Sequence, residues 1–312
     1  MFRRKNICVI GGAGFIGSHI VDKLVKENEV LVIDNLSSGS KKNINRKAKF
    51  IRYDITANPI HLAGILRENK IEYLFHLAAE PYIPKCYEYP GRFFEVNAVG
   101  TLKVLLTVWK SKVKRMLYYS SSEVYGSCPD EFINEEFPTN PHSTYAVSKL
   151  AGDRLCFTMF KEHKVPVIIL RQFNVFGERE THEYVIPEII AQLSRGDKLK
   201  LGNIYAKRDF IYVEDAAEMA IELLEKGRLG EVYNLGTGVA WSIKELAEQI
   251  GKLMNRKPKI IVDKKRLRPF DVSYLRCDNK RIYRIIKSRP KTSLKEGLKK
   301  TIDYFYKYGW QF

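Results

Sequence analysis

A tyrosine and a lysine lie four residues apart in the segment YAVSK, as Tyr145 and Lys149. On a helix this spacing places both side chains on one face. An ammonium group beside a phenol favours the phenolate, and a phenolate can take a proton from an alcohol. Because this spacing is common in unrelated sequences, the pair predicts a base only in combination with other features.

One such feature is the segment SSSEVYG, residues 120–126, which has the pattern of a strand that ends in a tight turn. It places the carboxylate of Glu123 between three serine hydroxyls and a tyrosine. Glu123 is either an ordinary charge on an exposed loop or a base for a proton that the reaction removes. The residues alone leave both interpretations open.

Three glycines with GxxGxxG spacing, Gly11, Gly14 and Gly17, follow the first predicted strand. Gly11 permits a tight turn, Gly14 lets a diphosphate approach the backbone, and Gly17 lets a helix pack closely on the strand. Asp34 ends the second predicted strand, 17 residues after Gly17. A carboxylate there accepts hydrogen bonds from a ribose 2′-hydroxyl and repels a 2′-phosphate, so the pattern predicts NAD rather than NADP.

Six short apolar segments must position these residues, and they alternate with helical patterns as a doubly wound parallel sheet requires. They are NICVI, VLVID, KFIRYDI, YLFHLA, RMLYYSS and VIILR. We predict an α/β fold with a NAD-binding Rossmann domain over residues 1–175 and a smaller C-terminal substrate lobe over 176–312. Segments of about 208–240 are expected to pack back onto the first domain.

Composition excludes several classes of protein. The chain has 312 residues, 45% of them hydrophobic, and lacks the apolar run of roughly 18 residues that a membrane span needs, so we predict no membrane partner. Five scattered cysteines form no CxxC pair, which argues against a disulfide framework or a metal site and fits a cytoplasmic location. The net charge of +17 could serve nucleic acid, a membrane surface, anionic substrates or only solubility. Because the densest basic run, KKNINRKAKF, contains a single aromatic residue and no nucleic-acid-binding signature accompanies it, we predict no nucleic-acid partner.

Taken together, the motifs resemble those of the extended short-chain dehydrogenase/reductases that modify nucleotide sugars. The segments that carry the resemblance cover nearly the whole chain: GGAGFIG, IDNLSSG, HLAAE, SSSEVYG, YAVSK, RQFNVFG, LGNIYAKRDFIYVED, YNLGTG and RLRPFDV. The resemblance implies a tightly held NAD that is reduced and reoxidised within one turnover. It also implies that Ser121, Tyr145 and Lys149 form the triad that oxidises the sugar at C4.

The resemblance further implies binding residues, and no metal ligand. The residues implied for NAD are Gly11, Gly14, Phe15, Ile16, Gly17, Asp34, Asn35, Ser38, Asp54, Ile55, Leu77, Ala78, Ala79, Asn97, Ser120, Tyr145 and Lys149. The residues implied for the nucleotide-sugar substrate are Glu80, Ser122, Asn174, Arg208 and Arg268. Bidentate guanidinium–phosphate geometry gives a physical reason for the two arginines as partners of the substrate diphosphate.

A homodimer is also expected, built on the helices that begin near Asn97 and Ser143. An apolar stripe on the first of these helices supports this expectation together with the resemblance, because such a stripe is typical of a core or of a dimer interface. The stripe consists of Leu102, Leu105, Leu106, Trp109 and Val113.

Three reaction classes of the family differ at the turn that holds Glu123. C4-epimerases need no base at C5 and usually carry a small residue after the serines, whereas 4,6-dehydratases and C6 decarboxylases resemble Ser121-Ser122-Glu123. Once C4 is a ketone, the C5 proton is acidified, and a carboxylate can remove it as the C6 hydroxyl leaves. We therefore predict a 4,6-dehydratase with Glu123 as general base. A C4-epimerase, a UDP-glucuronate decarboxylase and a non-enzymatic nucleic-acid-binding regulator are the alternatives.

The substrate-side segments LGNIYAKRDF and RLRPFDVSYL resemble those of GDP-mannose and UDP-N-acetylglucosamine 4,6-dehydratases more than those of galactose epimerases. Glu80 also has a counterpart in some sugar dehydratases. Ser122 stands where dTDP-glucose enzymes carry an aspartic acid that protonates the leaving hydroxyl. This departure disfavours dTDP-glucose and leaves the general acid at C6 unassigned, a role that Glu123 could serve once protonated.

Overall fold

The computed structural model describes residues 2–128 and 131–310. The strands in this part of the chain are β1 (Asn6–Ile10), β2 (Glu29–Asp34), β3 (Lys49–Arg52), β4 (Tyr73–His76), β5 (Arg115–Ser121), β6 (Val167–Gln172), β7 (Asn174–Phe176), β8 (Lys198–Leu201), β9 (Lys207–Tyr212), β10 (Val232–Leu235), β11 (Ala240–Ser242) and β12 (Lys259–Val262). The helices are α1 (Phe15–Leu24), α2 (Pro59–Glu68), α3 (Ile83–Cys86), α4 (Pro90–Phe94), α5 (Thr101–Trp109), α6 (Thr144–His163), α7 (Val185–Arg195), α8 (Val213–Lys226), α9 (Ile243–Leu253), α10 (Lys280–Tyr283) and α11 (Leu294–Tyr308).

The main sheet has seven strands in the order β10-β6-β5-β4-β1-β2-β3, and all of its pairings are parallel. Its first six strands along the chain coincide with the six apolar segments of the sequence, so the predicted doubly wound α/β fold is confirmed. The strand order reverses between β1 and β4, and in such sheets ligands bind at the carboxyl ends of the strands beside this point.

Both faces of the main sheet are buried except at its edge strand β3, as in other parallel sheets. Alternate residues of β1 belong to different hydrophobic clusters, because successive side chains of a strand point to opposite faces. Ile7 and Val9 pack with residues of α1 and α8, whereas Cys8 and Ile10 pack with residues of α2, α5 and α6. This burial explains the many apolar residues of the segments that form the inner strands, whereas KFIRYDI, which forms the edge strand β3, is half-buried and carries charged residues.

The second half of the chain contributes to both parts of the fold. Strand β10 pairs with β6 and completes the main sheet, and α8 packs against α1. The smaller C-terminal lobe contains a three-stranded sheet, β11-β9-β7, and a two-stranded sheet, β12-β8. Side chains of α7, α9 and α11 form a separate hydrophobic cluster with β8 and β9. The domain boundary at residue 175 and the assignment of this lobe to the substrate stay predictions.

Helices that could cross a membrane are absent from residues 2–128 and 131–310, since none there is both long and apolar enough.

Candidate active site

A cavity of about 820 Å³ lies between the carboxyl ends of the main-sheet strands and the C-terminal lobe. Its lining contains every site residue predicted from the sequence except Asp54, Glu80 and Asn97. The glycine-rich turn after β1 lines one end, and Arg208 and Arg268 line the part formed by the lobe. One continuous space is therefore shared by the predicted nucleotide, catalytic and diphosphate residues.

The glycine-rich turn fits the diphosphate of NAD. Gly11 has a φ of +88°, and a Cβ atom there would lie 2.6 Å from the backbone nitrogen of Ala78. A Cβ atom on Gly17 would lie 2.1 Å from the carbonyl oxygen of Gly11, so only glycine permits this packing. Helix α1 starts after Gly14, which offers no side-chain cap, and its first turn has no acidic residue. Its N–H groups and positive dipole end are therefore available to an anion.

Asp34 ends β2 and is held in a fixed orientation at the cavity wall. Its Oδ2 accepts a hydrogen bond from the Ala13 N–H (3.0 Å), and its Oδ1 accepts one from the Leu36 N–H (2.8 Å). Burial raises the pKa of Asp34, while these two N–H groups lower it. Each carboxylate oxygen keeps a lone pair, which suits a ribose diol. The residues around this end of the cavity thus fit an NAD molecule.

Two of the predicted residues outside the lining contact other side chains instead. Asp54 Oδ2 accepts a hydrogen bond from Asn35 Nδ2 at 3.0 Å, and Asn35 itself lines the cavity. Glu80 Oε1 lies 3.4 Å from Arg92 Nε. Asp54 can therefore act on the nucleotide end by orienting Asn35, and direct contacts of Asp54 and Glu80 with a ligand stay predictions.

Asn97 is buried within a π-helical segment, Glu95–Gly100. Its side-chain oxygen accepts a hydrogen bond from the Glu80 N–H (2.8 Å), and its nitrogen donates to the Glu80 carbonyl and to Ser148 Oγ (3.0 Å each). Ser148 in turn donates to the Tyr145 carbonyl oxygen (2.7 Å). Asn97 therefore connects the loop after β4 to the first turns of α6, and a direct contact of Asn97 with NAD stays a prediction.

The predicted triad residues lie together at the cavity wall. Ser121 ends β5, whereas Tyr145 and Lys149 lie one turn apart on α6. The Tyr145 phenol hydrogen-bonds with the Ser121 hydroxyl, and its ring meets Phe93 edge to face at 6.4 Å. The Lys149 ammonium donates to the Tyr119 carbonyl oxygen of β5. The spacing of YAVSK thus places both functional groups against the end of one strand.

Burial determines the proton affinities of both groups. It raises the pKa of Tyr145 to about 12, a shift that the Ser121 hydrogen bond opposes and the Glu123 carboxylate reinforces. It lowers the pKa of Lys149 to about 8. The sequence predicts that the lysine makes the phenol more acidic, but burial has the larger effect here. A positive charge beside the phenol, such as the nicotinamide ring of NAD, would lower its pKa.

Glu123 points into the cavity from a short 3₁₀ turn after β5. Its backbone N–H donates to Ser121 Oγ (3.2 Å), so the serine that contacts Tyr145 also fixes the turn. Its side chain is only 12% exposed, and Oε1 lies 3.9 Å from Arg208 Nε. Glu123 is therefore not an exposed loop charge.

A buried polar network beneath this turn was not predicted from the sequence. Arg171 of β6 forms an ion pair with Asp153 of α6 (2.8 Å) and donates to the Tyr125 hydroxyl (3.0 Å). Tyr125, in the SSSEVYG segment, donates to Asn234 Oδ1 of β10 (2.7 Å). The position of Asp153, one helical turn after Lys149, is the one local feature of the sequence that could have indicated this network. The network joins α6 to the turn that carries Glu123.

The predicted diphosphate residues also lie together, although 60 positions separate them in the chain. Nη2 of Arg208 and Nη1 of Arg268 each lie 3.5 Å from Oδ1 of Asp271. Asp271 lines the cavity as well and was missed in the sequence, where it is one acidic residue in RLRPFDV. In the part of the chain that the structure describes, no group of three or more His, Cys, Asp or Glu side chains could hold a metal ion.

Comparisons with known proteins identify the family and agree with the fold. The model of the NAD dependent epimerase/dehydratase family matches residues 7–236. Human dTDP-D-glucose 4,6-dehydratase is 32% identical over 96% of this chain and 90% of its own length. A dTDP-glucose 4,6-dehydratase from Streptomyces venezuelae, solved with NAD and TYD bound, superposes with a TM-score of 0.91 at 28% identity, over 98% of this chain and 99% of that one. UDP-glucose 4-epimerase from Thermotoga maritima, solved with UDP-glucose, has a TM-score of 0.89 at 32% identity, over 97% and 99% of the two chains.

Proposed function

This chain belongs to the NAD-dependent epimerase/dehydratase family, and we propose that within it the protein is a nucleotide-sugar 4,6-dehydratase. The family resemblance and the NAD cofactor predicted from the sequence are confirmed, and the chain is an enzyme of the nucleotide-sugar dehydratase/epimerase group. One observation carries the dehydratase proposal. The Glu123 carboxylate faces the same cavity as the Tyr145 phenol and is close enough to raise the pKa of that phenol, which supports a role for Glu123 beside a sugar whose C4 hydroxyl would meet Tyr145.

The reaction assigns a separate task to each side chain. NAD supplies the reversible oxidation at C4. Tyr145 takes the proton of the C4 hydroxyl, and Ser121 holds the phenol in position. Glu123 then removes the C5 proton while the C6 hydroxyl leaves. The proton held by Glu123 passes to the departing oxygen, so that water is the leaving group. Return of the hydride to C6 and uptake of a proton from solvent at C5, with release of the proton held by Tyr145, would complete the 4-keto-6-deoxy sugar.

Arg208 supports this role for Glu123. The guanidinium group lies 3.9 Å from the carboxylate, and this ion pair orients Glu123 at the cavity wall. Arg208 and Arg268 also supply two guanidinium groups to the part of the cavity that would receive the diphosphate. We infer that the sugar lies between this pair and Tyr145, with its C5 towards Glu123.

A C4-epimerase is the second candidate, because the contact with Arg208 gives Glu123 a charge partner that requires no chemistry at C5. UDP-glucuronate decarboxylase is the third, since the family resemblance at Ser121-Ser122-Glu123 extends to C6 decarboxylases. We also propose a homodimer and a cytoplasmic location. Exposed apolar residues near α5 and on α6 support the dimer, and the five cysteines, all unpaired and buried, fit a reducing compartment.

The reaction class can be tested by incubating the purified enzyme with GDP-mannose, UDP-N-acetylglucosamine, UDP-glucose, dTDP-glucose and UDP-glucuronate. The mass of each product separates the candidates. Loss of one water identifies a dehydratase, an unchanged mass with inverted C4 identifies an epimerase, and loss of carbon dioxide identifies a decarboxylase. We expect loss of water from at least one neutral sugar nucleotide.

A further inference from the structure

We propose that Asp271 is a positioning residue that holds the guanidinium groups of Arg208 and Arg268 side by side for a diphosphate. This inference rests on the proposed nucleoside-diphosphate sugar substrate. On this proposal the diphosphate site contains a carboxylate, which is unexpected because its negative charge repels the ligand. The contacts of Asp271 explain why one is present.

The two guanidinium groups share one oxygen atom. Oδ1 of Asp271 lies 3.5 Å from Nη2 of Arg208 and 3.5 Å from Nη1 of Arg268. Two like charges this close repel each other, and the charge of Arg268 contributes to a lowered pKa of Arg208, after the larger effect of burial. An anion between them offsets this repulsion, so Asp271 allows both arginines to face the cavity.

Arg208 and Asp271 are both fixed by further hydrogen bonds. Arg208 Nη2 donates to the Val272 carbonyl oxygen (2.6 Å), and its Nη1 donates to its neighbour's carbonyl oxygen at Lys207 (3.0 Å). Asp271 Oδ1 accepts from the Val272 N–H (3.0 Å), and Oδ2 accepts from Asn203 Nδ2 (3.2 Å). Arg268 is the more exposed arginine, at 34% of its side chain against 8% for Arg208. Asp271 therefore holds the more exposed guanidinium group, that of Arg268, beside the buried one of Arg208, which further hydrogen bonds already fix.

The arrangement leaves donors for the ligand. A guanidinium group has five N–H donors in a planar fork, and the contact with Asp271 is made through a single nitrogen of each arginine. Arg208 gives two more donors to the Val272 and Lys207 carbonyl oxygens, which leaves two of its five for a ligand. A diphosphate has two phosphoryl groups, so it can engage both arginines at once. A single phosphate engages the second arginine less effectively. The inference thus predicts a selective effect on diphosphate binding.

The experiment compares inorganic pyrophosphate with orthophosphate, each titrated calorimetrically into the NAD-loaded enzyme. The wild type should prefer pyrophosphate. Asp271→Asn should weaken pyrophosphate binding about tenfold and change orthophosphate binding much less, because the second arginine is no longer held in place. Asp271→Glu should restore part of the preference, since it returns the negative charge. Asp263→Asn is the control, because Asp263 is a nearby aspartate that contacts a different arginine, Arg266 (3.9 Å).

The outcomes separate this inference from the proposed function. If the wild type shows no preference for pyrophosphate, the diphosphate site itself is wrong and the inference fails with it. If the wild type prefers pyrophosphate and Asp271→Asn does so equally, the site stands and the positioning role is overturned. Equal loss of both anions in Asp271→Asn and in Asp271→Glu, with the NAD content unchanged, would also contradict it, because that result indicates a general role in the fold.

Discussion

The Glu123 carboxylate lies 3.9 Å from the Arg208 guanidinium group inside the cavity. Arg208 also contacts Asp271, the carboxylate that it shares with Arg268. One buried arginine therefore links the proposed base for C5 to the proposed diphosphate site. Because both contacts involve the same side chain, the account predicts that a substrate anchored by its diphosphate lies at a defined distance from Glu123.

Asp34 should determine the preference for NAD. Its carboxylate is fixed at the cavity wall by the Ala13 and Leu36 N–H groups, where it can bind a ribose diol and repel a 2′-phosphate. We expect the purified enzyme to release NAD on denaturation, and Asp34→Ala to carry less NAD and discriminate less against NADP. Chromatography of the released nucleotide measures both, with Glu29→Gln, at the exposed start of the same strand, as control. Release of mainly NADP by the wild type would contradict the prediction.

Tyr145→Phe should abolish most turnover while the nucleotide sugar still binds. The phenol hydroxyl transfers a proton and contributes little to the surface that binds the substrate. Loss of such a group typically lowers the rate about 10²–10⁴-fold. Steady-state kinetics and a separate binding titration distinguish the two effects. Tyr119→Phe is the matched control, because its hydroxyl has no hydrogen-bond partner among the described residues although the residue lines the same cavity. Near-normal turnover of Tyr145→Phe would remove this residue from the mechanism.

The buried Lys149 should give the free energy of unfolding a distinctive pH dependence. Burial lowers the pKa of Lys149 from 10.5 to about 8, so the unfolded chain binds more protons at this site between these two values. As the pH rises through this window, the free energy of unfolding of the wild type should therefore rise relative to that of Lys149→Met. Below pH about 8 the lysine is charged in both states, so the buried charge lowers the free energy of unfolding by its full amount. Urea unfolding of both proteins without added nucleotide measures the difference, with the exposed Lys26→Met as control for the lost charge. If the difference in the free energy of unfolding between the wild type and Lys149→Met does not change with pH, the lowered pKa of a buried Lys149 is contradicted.

Exposed apolar residues should form the proposed dimer interface. Val99, Trp109 and Val147, which lie just before α5, at its end and on α6, are 40%, 43% and 43% exposed. Leu105 of the predicted stripe is instead buried in the core of its own chain, so only part of the stripe is available to a partner. We expect a dimer mass for the wild type by light scattering and a monomer mass for Val147→Glu. Val262→Glu, an exposed apolar residue on β12, is the control and should stay dimeric. A wild-type monomer at micromolar concentration would overturn the interface.

Local features of the sequence predicted much of the fold and of the site. Strands β1, β2, β4, β5 and β6 were recognisable because both of their faces are buried, and β3, which is only half-buried, because of its β-branched and aromatic residues. The glycine-rich turn was recognisable because its spacing and its strand-turn-helix context are contiguous. The role of Asn97 could not be read in the same way, since its partners Glu80 and Ser148 lie far from it in sequence. The role of Asp271 could not be predicted either, because it depends on contacts with two arginines that lie far apart in the sequence.

Proton affinities were harder to predict for a related reason. The spacing of Tyr145 and Lys149 gave the correct face of α6, but the size of each pKa shift depends on how completely the surrounding chain excludes water. Burial raises the pKa of Tyr145 and lowers that of Lys149, and neither effect is visible in the motif itself.

The central claim is that Glu123 removes the C5 proton, and Glu123→Gln tests it most directly. The amide keeps the shape of the side chain and cannot act as a base, whereas Tyr145, Lys149 and the NAD site are untouched. Glu135→Gln is a control for the removal of a buried carboxylate outside the cavity lining.

The decisive measurement is the exchange of the C5 hydrogen with deuterated water, followed by mass spectrometry in the wild type and in Glu123→Gln with a substrate that the wild type accepts. We predict that the wild type incorporates deuterium and forms a 4-keto-6-deoxy product. Glu123→Gln should oxidise C4, develop a lasting reduced-cofactor absorbance, and show neither exchange nor product. A wild type that inverts C4 without C5 exchange, matched by a Glu123→Gln variant of equal activity, would contradict the account and identify a C4-epimerase.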